Sequence, residues 1–299
     1  MISFPVVGVT RPNFLVLTPL CILLGLASVL LSGAEVAWGI LGIILLGALM
    51  AHISVNALNE YADFHSGLDF KTEKTPFSGG SGTLVAQPRL AAQALALGVG
   101  SLGITIACGL FLMQRVGWAL IPIGLLGVLI IIFYTGWINR NRFLVLIAPG
   151  LSFGPLMVVG TDFALTGAYS GVALLLSLIP FFLVNNLLLL NQLPDVEADR
   201  SVGRDNFAIA WETGSSAWLF LVFALMAYLT ILVGVVTAMM PLWTLLGLLT
   251  TPLTYLVFKG VWAYDGDLPQ LIPSLGMNVV ITLLTPLLVF IGVAIQVYL

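Results

Sequence analysis

Apolar positions in this chain do not alternate with polar ones. They gather into long runs at roughly 13–32, 36–58, 90–113, 117–137, 143–163, 170–193, 216–239, 241–261 and 273–298. About 20 apolar residues suffice for a helix to cross a bilayer. The pattern therefore predicts an all-α membrane protein with nine transmembrane helices. The tightest break is Met239-Met240-Pro241. Pro19, Pro122, Pro149, Pro155, Pro180, Pro252 and Pro286 fall inside or beside the runs. In a bundle, neighbours satisfy the freed carbonyls, so kinks rather than breaks are expected. Gly98, Gly100, Gly103, Gly124 and Gly127 suit close helix contacts.

Composition agrees. Of 299 residues, 60% are hydrophobic and only 8% charged, where a soluble domain would carry about a quarter. No soluble domain or linker interrupts the runs, so residues 1–299 read as one transmembrane domain. The net charge of −3 says little, and no nucleic-acid partner is expected. Cys21 and Cys108 both fall in apolar runs and read as small core residues. Arg11 precedes a full-length span, so no removable signal peptide is expected.

The few basic residues set the orientation. With nine spans, Arg11, Lys71, Lys74, Arg89, Arg140, Arg142, Arg200, Arg204 and Lys259 share one side, and only Arg115 lies on the other. The positive-inside rule puts the N-terminus in the cytoplasm and the C-terminus outside, in a cell inner membrane. The two long loops, about 59–89 and 194–215, are then both cytoplasmic, and long loops in a compact domain tend to be functional.

Those loops hold the chemistry. Asn59-Glu60-Tyr61-Ala62-Asp63 runs on to Asp69, and Asn191-Gln192-Leu193-Pro194-Asp195 runs on to Asp199-Arg200. Asn56, Asn59 and Asp63 have the spacing of one helical face, and so do Asn191, Asp195 and Asp199. Ionisable groups at a membrane mark function by default. Hard oxygen ligands without clustered His or Cys suit Mg²⁺, which binds through a few carboxylates plus substrate phosphates. Two facing clusters would hold metal against one diphosphate. A blander reading makes the acids helix caps at the membrane surface. Lys71, Lys74, Arg200 and Arg204 follow the acids and would neutralise phosphate oxygens; as plain topology signals they would only anchor the loops. Ser78-Gly79-Gly80-Ser81-Gly82 could offer backbone N–H groups to an anion, without the Lys-Ser/Thr of a P-loop. Tyr61 and Tyr134 could face a carbocation or sit at the interface. His65 reads as a loop residue and His52 as a hydrogen-bonded core residue.

Asn59-x3-Asp63-x5-Asp69, Lys74-Thr75-Pro76-Phe77-Ser78-Gly79-Gly80, Tyr134-Thr135-Gly136 and Asp195-x3-Asp199 together resemble the UbiA superfamily of intramembrane prenyltransferases. The Gly-x-Asp ending, with Phe153-Gly154-Pro155, Gly160-Thr161 and Thr166-Gly167, looks most like its menaquinone branch. The resemblance implies a helical bundle around a central cavity, Mg²⁺, a polyprenyl diphosphate donor and an aromatic acceptor, first of all 1,4-dihydroxy-2-naphthoate. It implies Asn59, Asp63 and Asp69 as ligands of a first metal and Asp195 and Asp199 of a second. Asn56, Lys71, Lys74, Ser78, Asn191, Arg200 and Arg204 would bind substrate. Asp63, Asp195, Lys74 and Tyr134 would serve catalysis. The chain departs from that branch after Gly136, where Trp137-Ile138 stands in place of Pro-Pro, and at Gly150-Leu151-Ser152-Phe153, which lacks an acid. Glu60 stands where Asp is common. These departures bear on the acceptor, and 4-hydroxybenzoate, homogentisate, chlorophyllide or a sugar phosphate remain alternatives. So does a different class, a cation-coupled transporter, which would keep its acids near mid-membrane on broken helices. The Asp-Gly-x2-Ala-Arg pattern of phospholipid head-group transferases is absent. Prenyl length and oligomeric state are left open.

Overall fold

A computed structural model describes residues 5–77, 80–211 and 213–299. The described residues contain helices and no strand. Eight helices are long and apolar enough to cross a membrane, and a shorter one accompanies them. In chain order they are α1 Pro12–Leu31, α2 Trp38–Ser66, α3 Pro88–Val116, α4 Trp118–Phe133, α5 Arg142–Thr166, α6 Gly171–Asn191, α7 Thr213–Val236, α8 Leu242–Trp262 and α9 Leu268–Tyr298. Each falls on one of the nine apolar runs. The protein is thus a multi-pass membrane protein. Exposed Trp38, Trp118 and Trp243 sit at helix ends on one face, and Trp137, Trp211 and Trp262 at ends on the other, as belts at two membrane interfaces would.

The helices form two unlike regions. A dense core unites α6, α7, α8 and α9 with α1 and one side of α5 around Leu24, Leu176, Leu183, Phe220, Ile231 and Leu275. Small residues permit close approach. A Cβ at Gly292 would meet the backbone of Trp243, and one at Gly154 would meet Phe181. On the other side, α2 packs along α3, while α4 touches its neighbours sparingly. Between α1 and α6 on this side lies a cavity of about 770 Å³. Among the described residues its wall ends at Asn206, so α7–α9 lie behind it.

Helix α5 bends to fit. Pro149 and Pro155 remove two backbone donors, and residues Ser152–Val159 widen into a π-helical stretch. Asn185 on α6 supplies a compensating bond, its Oδ1 accepting from the Gly150 N–H at 2.7 Å. The widened turn puts Ser152, Phe153, Leu156 and Met157 on the cavity wall.

Candidate active site

Helix α2 continues about two turns beyond its apolar run before Gly67 ends it in the left-handed conformation (φ 79°), which costs glycine little. Its last turns carry Asn56, Asn59 and Asp63 to the cavity mouth. Asn59 Nδ2 donates to Asp63 Oδ2 at 2.7 Å, and Thr135 Oγ1, just after α4, donates to Asn59 Oδ1 at 3.0 Å. Past Gly67, a single turn, Leu68–Phe70, brings Asp69 and then Thr72 to the same mouth.

The second cluster is built differently from expectation. Helix α6 stops at Asn191, Pro194 lies in the turn that follows, and a new short helix, Val196–Ser201, begins after Asp195. Proline lacks an N–H and disfavours helix in the residue before it. Asn191, Asp195 and Asp199 therefore do not share one helical face. They still line one cavity, together with the first cluster.

Arg204 ties the clusters together. It pairs with Asp63 from the first and, at 3.0 Å, with Asp199 from the second. Asn206 Nδ2 donates to the other oxygen of Asp199 at 2.9 Å. Burial still holds the Asp199 carboxyl above its ordinary range despite these partners. Burial also pushes Asp69 up to about 7, with the negative charges of Glu60 and Asp63 acting the same way.

These residues suit a hard divalent cation. Four carboxylates, Asp63, Asp69, Asp195 and Asp199, face a wall that holds the guanidinium groups of Arg11 and Arg204, and Arg11 is already paired with Glu60 at 2.9 Å. Asp69 Oδ2, Thr72 Oγ1 and Asn191 Oδ1 are buried with no hydrogen-bond partner among the described residues. Buried polar oxygens of this kind ordinarily have one. No three His, Cys, Asp or Glu side chains among the described residues close into a ready ligand set, so water and substrate oxygens would complete any coordination, as Mg²⁺ favours.

Of the residues singled out in the sequence, Asn56, Asn59, Asp63, Asp69, Tyr134, Asn191, Asp195, Asp199 and Arg204 line the cavity. Lys71, Lys74 and Arg200 do not. Lys71 Nζ donates to Ser201 Oγ at 3.0 Å, Lys74 bonds the Ser81 carbonyl, and Arg200 pairs with exposed Glu197 at 2.7 Å. All three are exposed, and hydration favours keeping an ammonium or guanidinium there. Ser78 lies outside the described residues. Two groups carry more than their sequence context suggests. Arg11 reaches the wall from the start of α1. Glu60, 1% exposed, lies beside Asp69 across Gly80 but is outside the cavity wall, accepting from Arg11 and from the Ser81 N–H and Oγ at 2.6 and 2.7 Å. It fastens the small-residue loop beside the mouth. The signal for Arg11 was its place at the first span, which reads equally as a topology marker.

Inward of the mouth the wall turns apolar. Residues from Ile44 to Asp63 of α2 face it, roughly 28 Å of helix at 1.5 Å per residue. Ile106, Leu110, Ile121, Leu125 and Val128 from α3 and α4 complete a hydrocarbon-lined channel.

Comparisons match this architecture. Residues 18–279 match the model of the UbiA prenyltransferase family. A 1,4-dihydroxy-2-naphthoate octaprenyltransferase of Bacillus subtilis (strain 168) is 29% identical over 219 residues, 72% of this chain and 69% of that one. A solved digeranylgeranylglyceryl phosphate synthase superposes with a TM-score of 0.68 at 12% identity, covering 97% of each chain. A UbiA homologue from Archaeoglobus fulgidus bound to GPP and Mg²⁺ gives 0.65 at 15% identity, covering 97% of this chain and 99% of that one. With the family match spanning most of its length, the chain belongs to the UbiA prenyltransferase family and is a membrane-embedded prenyltransferase.

Proposed function

We propose that this protein transfers a polyprenyl group from a polyprenyl diphosphate to an aromatic acceptor, 1,4-dihydroxy-2-naphthoate, in quinone biosynthesis, with Mg²⁺ as cofactor. The observation that carries the reading is the cavity itself: a mouth rich in hard oxygen donors opens into an apolar channel. A diphosphate with a hydrocarbon tail has the same two-part character. The naphthoate acceptor draws support from the B. subtilis relative of that name, and Mg²⁺ from the A. fulgidus homologue solved with it. A transporter reading gains nothing from acids gathered at the end of one cavity and joined by Arg204.

Asn59, Asp63 and Asp69 would hold one metal ion and Asp195 and Asp199 a second, with Asn191 beside them. Bound there, Mg²⁺ would neutralise charge on the leaving diphosphate. Arg204 adds a bidentate donor suited to phosphate oxygens. As the allylic C1–O bond breaks, its electron pair leaves with the diphosphate. A ring carbon of the acceptor then bonds to C1, and the proton on that carbon passes to the released diphosphate or to water at the mouth. The Tyr134 ring faces the developing cation. The apolar wall excludes water that would otherwise capture it.

The basic residues shared by the acid-bearing side support a location in the cell inner membrane with the mouth toward the cytoplasm. The test is direct. Membranes containing the protein, given labelled polyprenyl diphosphate and 1,4-dihydroxy-2-naphthoate, form prenylated naphthoate with Mg²⁺ and none in EDTA. Equal product in EDTA would sink the metal assignment, and no prenylated product with either addition would sink the reaction.

A further inference from the structure

The wall one turn inward of Asn56 holds a polar group that neither half of a prenyl diphosphate can use. His52 on α2 lines the cavity and is 6% exposed. Its Nδ1 is bonded to Thr18 Oγ1 on α1 at 2.9 Å. The ring stands edge-on to Phe153, with centroids 4.8 Å apart and planes at 75°. Among the described residues the bond to Thr18 is its one hydrogen bond, which leaves the second ring nitrogen on the cavity side without a protein partner.

The other inner polar side chains already have a donor engaged. Asn56 Nδ2 donates to the Thr10 carbonyl, Ser152 Oγ to Ala148, Thr161 Oγ1 to Met157 and Thr105 Oγ1 to Gly47 and Ser101. A ligand in the cavity can supply the partner that this nitrogen lacks among the described residues. The prenyl tail is hydrocarbon. The diphosphate belongs with the acids, and Asp63 lies roughly 16 Å along α2 from His52. With the diphosphate at Asn59 and Asp63, C1 falls near the level of Asn56. His52 is one turn, roughly 6 Å, beyond it. That is the combined reach of a ring hydroxyl two positions from the attacked carbon and a hydrogen bond of roughly 2.8 Å from it.

We propose that His52 is the acceptor-recognition residue: its free ring nitrogen hydrogen-bonds a ring hydroxyl of the aromatic acceptor, while Thr18 and Phe153 fix the imidazole. The assignment rests on the aromatic-acceptor reading above. It makes the enzyme selective for acceptors carrying a hydroxyl two ring positions from the reacting carbon. A site built around such a bond discriminates against analogues that lack it.

The experiment uses the full chain in lipid nanodiscs, with polyprenyl diphosphate, Mg²⁺ and three acceptors: 1,4-dihydroxy-2-naphthoate, 1-hydroxy-2-naphthoate and 4-hydroxy-2-naphthoate. For the dihydroxy acceptor, His52→Leu raises the acceptor KM about tenfold and leaves the donor KM unchanged. For the monohydroxy acceptor lacking the recognised oxygen, wild type and variant have equal KM. A helix-packing role alone would not produce that dependence on acceptor. A variant that raises the donor KM, or that treats all three acceptors like wild type, overturns the proposal. A second measurement needs no variant: ¹⁵N-histidine resonances of the wild-type protein. Adding 1,4-dihydroxy-2-naphthoate without donor shifts the unbonded ring nitrogen of His52, and naphthalene does not. No shift, or the same shift with both, overturns the proposal. Wild type that prenylates none of the acceptors removes the underlying reaction as well, which distinguishes that failure from a loss of the His52 role alone.

Discussion

The two sides of this bundle put polar residues to different uses. In the dense region of α6–α9, buried polar groups reach from one helix to the next. Asn186 Nδ2 donates to the Phe220 carbonyl at 2.9 Å, and Asn278 Nδ2 to the Asn186 carbonyl at 3.3 Å. The Tyr228 hydroxyl meets Thr250 and Thr254 at 3.1 and 2.7 Å. Such bonds act as interhelical glue where lipid supplies no hydrophobic drive. In the hollow region bounded by α2–α5, polar groups turn to an open space, and Asp69, Thr72 and Asn191 keep oxygens without partners. One region thus uses polar groups to join helix to helix, while the other turns them toward a space that a ligand can fill. Stability and chemistry should therefore be separable by mutation.

The sharpest test of that separation lies at the mouth. Asp63→Ala and Asp195→Ala should each lower prenyl transfer at least about 100-fold, the scale of losing a preorganised electrostatic contact. Thermal unfolding should be nearly unchanged, because the variants remove charge from a site already crowded with it. The opposite outcome is expected behind the cavity. Gly292→Leu drives a side chain into the Trp243 backbone and should cost about 1–3 kcal/mol of stability, read as a lowered melting temperature. The fraction that remains folded should keep wild-type acceptor and donor KM values. Equal effects of both kinds of variant on melting and turnover would erase the distinction between the regions.

Much of this architecture is legible in the sequence, because the physics behind it is local. A helix in lipid must be long and apolar, so each run marks a span. Charge is so scarce here that two acid clusters stand out unaided. What local pattern cannot give is partner choice. Lys74 and Arg204 both follow an acid cluster, yet Lys74 folds back on the Ser81 carbonyl while Arg204 bridges Asp63 and Asp199. The break at Pro194 was present in the sequence, but carboxylate spacing four apart suggested continuous helix. α2 outruns its apolar run because its polar end faces a cavity rather than lipid, a distinction that composition alone does not record.

Glu60 sharpens the comparison from the boundary. It is buried, yet its role is to hold Arg11 and Ser81 in place beside the mouth. Glu60→Gln keeps the volume, leaves Arg11 without its counter-charge and loosens the loop. Turnover should fall about tenfold, the scale of losing a charge-assisted contact, with a smaller change in melting than Gly292→Leu. A drop in melting that matches the loss of turnover would make Glu60 part of the packed frame instead. A milder change is expected at Gly124 on α4, where a Cβ would meet nothing within 4 Å and the residue lines the channel. Gly124→Leu should leave melting unchanged or slightly raised, since leucine favours helix by roughly 1 kcal/mol over glycine. It should shift turnover several-fold toward shorter prenyl diphosphates. An unchanged preference would mean that the tail does not run past α4.

The smallest effect concerns protons. Asp69 has its carboxyl pushed up to about 7 by burial and by its negative neighbours. In the metal-free protein its folded-state pKa exceeds the ordinary value, so the folded state binds the proton more tightly. Its contribution to stability is then fully present below pH 4 and is lost as pH rises toward 7. Mg²⁺ held at the proposed site would need the carboxylate and would compete with that proton. Affinity should therefore climb up to about tenfold per pH unit below 7 and level off above it. Melting curves recorded with and without Mg²⁺ between pH 5.5 and 8 would show the metal-induced shift growing toward neutrality. Asp69→Asn should flatten that growth while leaving the metal-free protein less sensitive to pH. A metal-induced shift with the same pH profile in Asp69→Asn and wild type would place the competing proton on another residue and detach Asp69 from the metal.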